Sequence, residues 1–205
     1  MNESSTSRGQ ARVKASRVYL AGPDVFLPNA REFLLQKKAL CAQVGLEGVS
    51  PLDSSDLEVS TRGLQSREVG QSIYDHNLRL IRSCQCVVAQ VTPFRGPSVD
   101  AGTAWEMGFA RASGLRVYAY SNVLEDFESR SEAFVCTVRA HLYGHVEASD
   151  AMQVEKLGMF DNCMIAGCVE DSGGVFIRHQ APGARLYTDL RAFEQCVAAV
   201  AKDET

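Results

Sequence analysis

A chain of 205 residues with 45% hydrophobic content is long enough for one sizeable core and short for two, which predicts a single domain. Its net charge of −4 and pI near 5.6 argue against a nucleic-acid polymer or an anionic membrane as the main partner, because either favours a concentrated basic face. No apolar run approaches the roughly 18 residues of a membrane span and no secretory h-region is present, so the reading is a soluble, cytoplasmic protein.

Residues 1–16, MNESSTSRGQARVKAS, are polar and aperiodic and are expected to form a disordered tail ahead of one α/β domain over 17–205. RVYLA (17–21), stopped by GPD, reads as a buried strand ending in a turn. From Ala30 to Val44, the residues Phe33, Leu34, Lys37, Leu40, Cys41 and Val44 recur at helical spacing, and Gly45 closes the helix. LEGVSPL is a second, weaker strand. A polar stretch from Asp53 to Arg67 follows, long enough to point to function.

The next segment, SREVGQSIYDHNLRLIRSC, puts Val69, Ile73, Asn77, Leu80, Ile81 and Cys84 on one stripe and predicts a helix. CVVAQV (86–91) is a continuous apolar run of the kind buried on both faces of a parallel sheet. After the loop TPFRGPSVD come a helix from about Ala101 to Ser113, a stop at Gly114 and a fourth strand, LRVYAYS. Beyond Asn122 the spacing predicts a helical excursion in EDFESRSEAFVCTVRAHLYG and a last strand at VFIRH. A closing helix in TDLRAFEQCVAAVAK turns Leu190, Phe193, Cys196, Val197 and Val200 inward. The alternation of strand and helix predicts a doubly wound parallel sheet of about five strands with helices on both faces. Ligands of such sheets gather at the carboxyl ends of the strands, here Tyr19 to Asp24, Val91 to Asp100 and Tyr120 to Asn122.

Seven cysteines, spread without a C-x-x-C pair, read as reduced and mostly buried small hydrophobes. His141 and His145 are four apart but interrupted by Gly144 and lack a third ligand nearby, so no metal site is expected.

The chemistry concentrates in VTPFRGPSVDAGTAWEMGFA (91–110). With a helix start at Ala101, Asp100 is its N-cap and Glu106 sits in the second turn. Six helical residues span about 600°, so the two carboxylates converge only if Asp100 lies in the loop. Gly102 and Ala110, one turn to either side of Glu106, leave room for a ligand. Ordinary helix electrostatics also favours acids at these places. The surrounding set tilts the balance: an apolar strand feeding the loop, small neighbours of Glu106, and Tyr19 ending the first strand.

VYLAGPDVFLPNA (18–30), IYDHNLRLIRSC (73–84), VAQVTPFRGPSVDAGTAWEMGFARASG (88–114) and FDNCMI (160–165) together resemble the nucleoside 2-deoxyribosyltransferases. The resemblance implies a flavodoxin-like α/β fold and a retaining, two-step transfer of 2-deoxyribose between bases, without metal or organic cofactor. It makes Glu106 the nucleophile, Tyr19 the holder of its carboxylate and Asp100 the acid near the base. Asn77 takes a site position that is Asp or Asn in the family, Phe26 the place of an aromatic near the base, and Gly22, Asp24 and Gly102 complete the substrate pocket. Asn162, with Met164, is implied to serve a neighbouring subunit's pocket, hence a homo-oligomer whose partners are deoxynucleosides and free nucleobases.

In physical terms, the helix N-terminus and the Tyr19 hydroxyl are expected to keep Glu106 ionised, and Asp100 to be the carboxyl whose pKa its neighbour raises. Two departures stand out: Gln85 is neutral where many relatives carry Asp, and Leu124–Val154 is long. The nearest rival is a 2′-deoxynucleoside 5′-monophosphate N-hydrolase, which has Ser where Asp100 stands, although Arg95 and Ser98 would suit a phosphate. A non-catalytic module such as a receiver domain fits less well, because its acidic pair and its strand-ending Asp are replaced by AGPD and QVTPF.

Overall fold

A computed structural model describes residues 15–53, 65–143 and 153–203. The bulk of the expected tail, most of the polar stretch after Asp53, His145 and the side chain of His141 lie outside the described residues. Within the described residues five strands form one parallel sheet: β1 (Arg17–Ala21), β2 (Glu47–Val49), β3 (Cys86–Gln90), β4 (Arg116–Ser121) and β5 (Phe176–Arg178), in the order β2-β1-β3-β4-β5. Among the described residues six helices cover it: α1 (Ala30–Gln43), α2 (Ser66–Arg82), α3 (Ala101–Ala112), α4 (Phe127–Tyr143), α5 (Cys163–Asp171) and α6 (Arg191–Asp203). This is the flavodoxin-like order, and its switch point falls where β1 and β3 lie side by side.

Strand pleating divides the core in two. Tyr19, Ala21, Val87, Ala89, Val117 and Ala119 face Ile81, Met107, Ala110, Ala166 and Val169, which belong to α2, α3 and α5. Their alternates Val18, Leu20, Val88, Tyr118 and Tyr120 face Cys41, Phe193, Cys196 and Val197 of α1 and α6. Tyr19 therefore lies on the face that carries α3, whereas Tyr120 lies on the face that carries α1.

Two expected inward positions need correction, and one helix was missed. Val44 and Ile73, read as inward, are 37% and 41% exposed. Val44 is already the C-cap of α1, past the last inward turn, while Ile73 borders a cavity instead of the core. Helix α5 was not expected, because nine residues interrupted by Gly167 carry too short a pattern. Of the cysteines, Cys41, Cys84, Cys86 and Cys196 are buried and all are free thiols, but Cys136 is exposed. No described helix is long and apolar enough to cross a membrane.

Candidate active site

The site grows from the end of β1. Gly22 leaves the strand at φ 149°, and a Cβ there would stand 2.9 Å from Cβ of Gln90 in β3. Only glycine lets the two strands approach this closely before the chain turns into a short 3-10 segment, Pro23–Phe26. Beside that turn opens a cavity of about 330 Å³, within the usual range for small-molecule sites. Gly22, Val25, Phe26, Ile73, Asn77, Asp100, Gly102, Thr103 and Glu106 line it, with Pro51 and Leu52 at one wall.

Asp100 caps α3 from the loop, as the angular argument required. Its Oδ2 accepts the Thr103 N–H at 3.0 Å and the Thr103 hydroxyl at 3.2 Å. A Cβ on Gly102 would stand 3.1 Å from the same oxygen, so the missing side chain keeps that carboxylate in place.

Glu106, in the second turn of α3, meets Tyr19 across the sheet face. The Tyr19 hydroxyl donates to Glu106 Oε1 at 2.6 Å, and Asn77 Nδ2 from α2 reaches the same oxygen at 3.3 Å. Both donors take Oε1, so Oε2 is left without a partner among the described residues. Asn77 Oδ1 is buried and also accepts no bond.

Burial pushes the Glu106 carboxyl up to about 7, with Asp100 adding to the rise and the Tyr19 and Asn77 bonds opposing it. Tyr19 is itself raised well above its ordinary value, first by burial and then by the Glu106 charge. The expectation for Glu106 is thus revised: its carboxyl is raised, because desolvation outweighs the helix terminus and the hydroxyl.

The other expected residues fall into separate groups. Phe26 is 55% exposed at the cavity rim and stacks on Phe94 at 5.3 Å, with the Arg95 guanidinium over both rings. Arg95 holds a left-handed backbone at φ 55° and makes no hydrogen bond or ion pair among the described residues.

Asp24 does not line the cavity. It is buried and pairs with the equally buried Lys37 of α1 at 2.5 Å. Burial works against the Lys37 charge, but Asp24 and Tyr120 outweigh it and hold the ammonium above its usual range. Asn162 and Met164 also lie off the cavity: Asn162 caps α5 through the Met164 N–H and bonds Glu155, while Met164 is 75% exposed.

Ser98 is committed to Asp161, a buried carboxylate that sequence reasoning missed together with Arg130 and Thr103. Thr103 was findable three residues after an N-cap acid. Asp161 and Arg130 carried no local signal, since their partners are 63 and 33 residues away. Among the described residues no cluster of His, Cys, Asp and Glu is suited to a metal ion.

An open parallel sheet thus carries two carboxylates, Asp100 and Glu106, beside one cavity near its switch point. The model of the family described as nucleoside 2-deoxyribosyltransferase matches residues 18–164, and the chain belongs to that family. It is 30% identical over 172 residues to the uncharacterized protein C191.05c of Schizosaccharomyces pombe, covering 78% of this chain and 80% of that one. Among solved structures it is similar to a 2-desoxiribosyltransferase from Leishmania mexicana, at 23% identity and a TM-score of 0.58, over 93% of this chain and 99% of the other.

Proposed function

We propose that the protein exchanges the base of 2′-deoxyribonucleosides by a retaining double displacement through Glu106. The reading is carried by one observation: Tyr19 and Asn77 both hold Oε1, which leaves Oε2 as an oriented oxygen open to the cavity chemistry.

In the first step Oε2 bonds to the anomeric carbon while the C–N bond breaks and its electron pair leaves with the base, which takes a proton from Asp100. The transition state resembles an oxocarbenium ion, which the facing carboxylate stabilises directly. In the second step a nitrogen of the incoming base attacks the anomeric carbon, the ester C–O bond breaks, Glu106 is restored as a carboxylate, and the new base's proton returns to Asp100. Asn77 Oδ1 supplies an acceptor for a sugar hydroxyl, and Phe26 a face for a base. Water that reaches the ester gives a slow hydrolase side reaction.

Such a protein serves deoxynucleoside salvage. The exposed Met164 and the off-cavity position of Asn162 support a homo-oligomer in which this edge completes a neighbour's pocket. A second reading, hydrolysis of a 2′-deoxynucleoside 5′-monophosphate, has in its favour the Arg95 guanidinium near the rim, which makes no ion pair among the described residues.

Incubation with 2′-deoxyinosine and adenine, read by chromatography, tests the proposal: 2′-deoxyadenosine and hypoxanthine are expected. Base release from a deoxynucleotide in water, with no exchange in the first mixture, would establish the second reading instead.

A further inference from the structure

The loop from Val91 to Asp100 contains no helix or strand, yet it must present Asp100 with fixed geometry. The three residues before Asp100 are each tied from outside the loop. The Asp161 carboxylate takes the Ser98 hydroxyl on Oδ1 and the Val99 N–H on Oδ2 at 3.1 Å, while the Arg130 Nε donates to the Pro97 carbonyl at 2.9 Å. Arg130 and Asp161 also face each other at 3.5 Å, and Arg130 Nη2 donates to the Phe160 carbonyl at 2.6 Å. Asp161 is 1% exposed and Arg130 9%. Neither lines the cavity. Arg130 comes from α4, so one role of the long segment after Leu124 is to bring this guanidinium under the loop.

A charged pair is an expensive way to fill a core position, and well-packed apolar residues of similar volume are often as stable. What apolar residues cannot do is hold a hydroxyl, an N–H and a carbonyl of an irregular loop in register. We infer that Arg130 and Asp161 are positioning residues that set the Asp100 carboxylate for proton delivery to the departing base. This rests on the reading of Asp100 given above.

Proton delivery has a signature that general loosening lacks. Hypoxanthine leaves 2′-deoxyinosine only with protonation, whereas the base of 7-methyl-2′-deoxyguanosine already carries the positive charge and departs without an acid. Asp161→Asn is expected to lower kcat on 2′-deoxyinosine by about 100-fold, with KM within about twofold and the methylated substrate changed by less than about threefold. Asp100→Asn should show the same selectivity, and the double variant should be no slower than Asp100→Asn alone.

Equal losses on both substrates, or independent effects that multiply in the double variant, would overturn the inference. A wild-type protein that releases no base from either substrate would overturn the functional reading itself, a different result. Circular dichroism establishes the fold of each variant. If Asp161→Asn does not fold, Ser98→Ala, which keeps the ion pair and removes one tie, should give the same selectivity at about tenfold.

Discussion

Glu106 and Asp24 are acidic residues at the same edge of the sheet, with partners on opposite faces, and they differ in what holds their oxygens. Asp24 faces the full positive charge of Lys37, whose ammonium also sits 4.6 Å from the Phe193 ring centre. Among the described residues Glu106 is held by neutral donors alone, a phenol and an amide. A buried cation fixes a carboxylate as a structural anion. Neutral donors orient the carboxylate without neutralising it, as the proposed attack through a cationic transition state requires, and burial raises its proton affinity to near neutrality.

The largest effect expected of this contrast is on chemistry. Glu106→Ala should reduce base exchange by on the order of 10⁴-fold, measured with a deoxynucleoside and a free base, while leaving the fold intact. A variant retaining wild-type exchange would remove the contrast altogether.

Next comes stability on the other side. Lys37→Met leaves Asp24 buried without its cation and should lower the unfolding free energy by about 3–5 kcal/mol in denaturant titrations. Adding Asp24→Leu should recover most of that loss, because the orphaned charge is gone. An unchanged midpoint in the single variant would show that the pair does not anchor the turn.

Tyr19→Phe sharpens the comparison from the Glu106 side. The Tyr19 bond lowers the Glu106 proton affinity, so its removal should slow exchange at neutral pH by about 10- to 100-fold. The acid limb of kcat/KM should move above its starting point of about 7. A limb that stays put would mean the hydroxyl does not engage the anion.

Stability follows with the opposite sign. Glu106 has a folded pKa raised from 4.5 to about 7, so its favourable contribution is complete below the unfolded value and is lost as pH rises through the folded one. Glu106→Gln, which cannot ionise, should therefore gain roughly 2 kcal/mol over wild type between about pH 5 and about pH 8. Equal pH dependence of the two thermal midpoints would contradict this. The smallest effect belongs to Asn77→Ala, whose 3.3 Å bond to Oε1 is long. A loss near 1 kcal/mol, about fivefold in kcat/KM, is expected.

Much of this was legible in the sequence because it is written in local patterns. The apolar run at 86–91 and the helical stripe at 190–200 set two elements whose inward residues match, and the turn at Asp100 placed the cap. Glu106 and Tyr19 were recognisable as a pair only through the family resemblance, since 87 residues separate them and nothing in their spacing shows that they touch. What escaped was non-local electrostatics. The raised proton affinity of Glu106 comes from the cavity walls closing around it, and Lys37 reads in sequence as one polar residue on an apolar stripe, not as the partner of Asp24. Helix α5 escaped for a simpler reason, its brevity.

Gly22 shows what this architecture demands of one codon. It lines the cavity and lies against Gln90, whose amide donates to the Tyr120 hydroxyl on the far face. Any methyl or larger group there would wedge the two central strands apart and shift both the pocket floor and that buried amide in a single event. Drift at this site is therefore closed, and a randomised library selected for function would return only the parental letter.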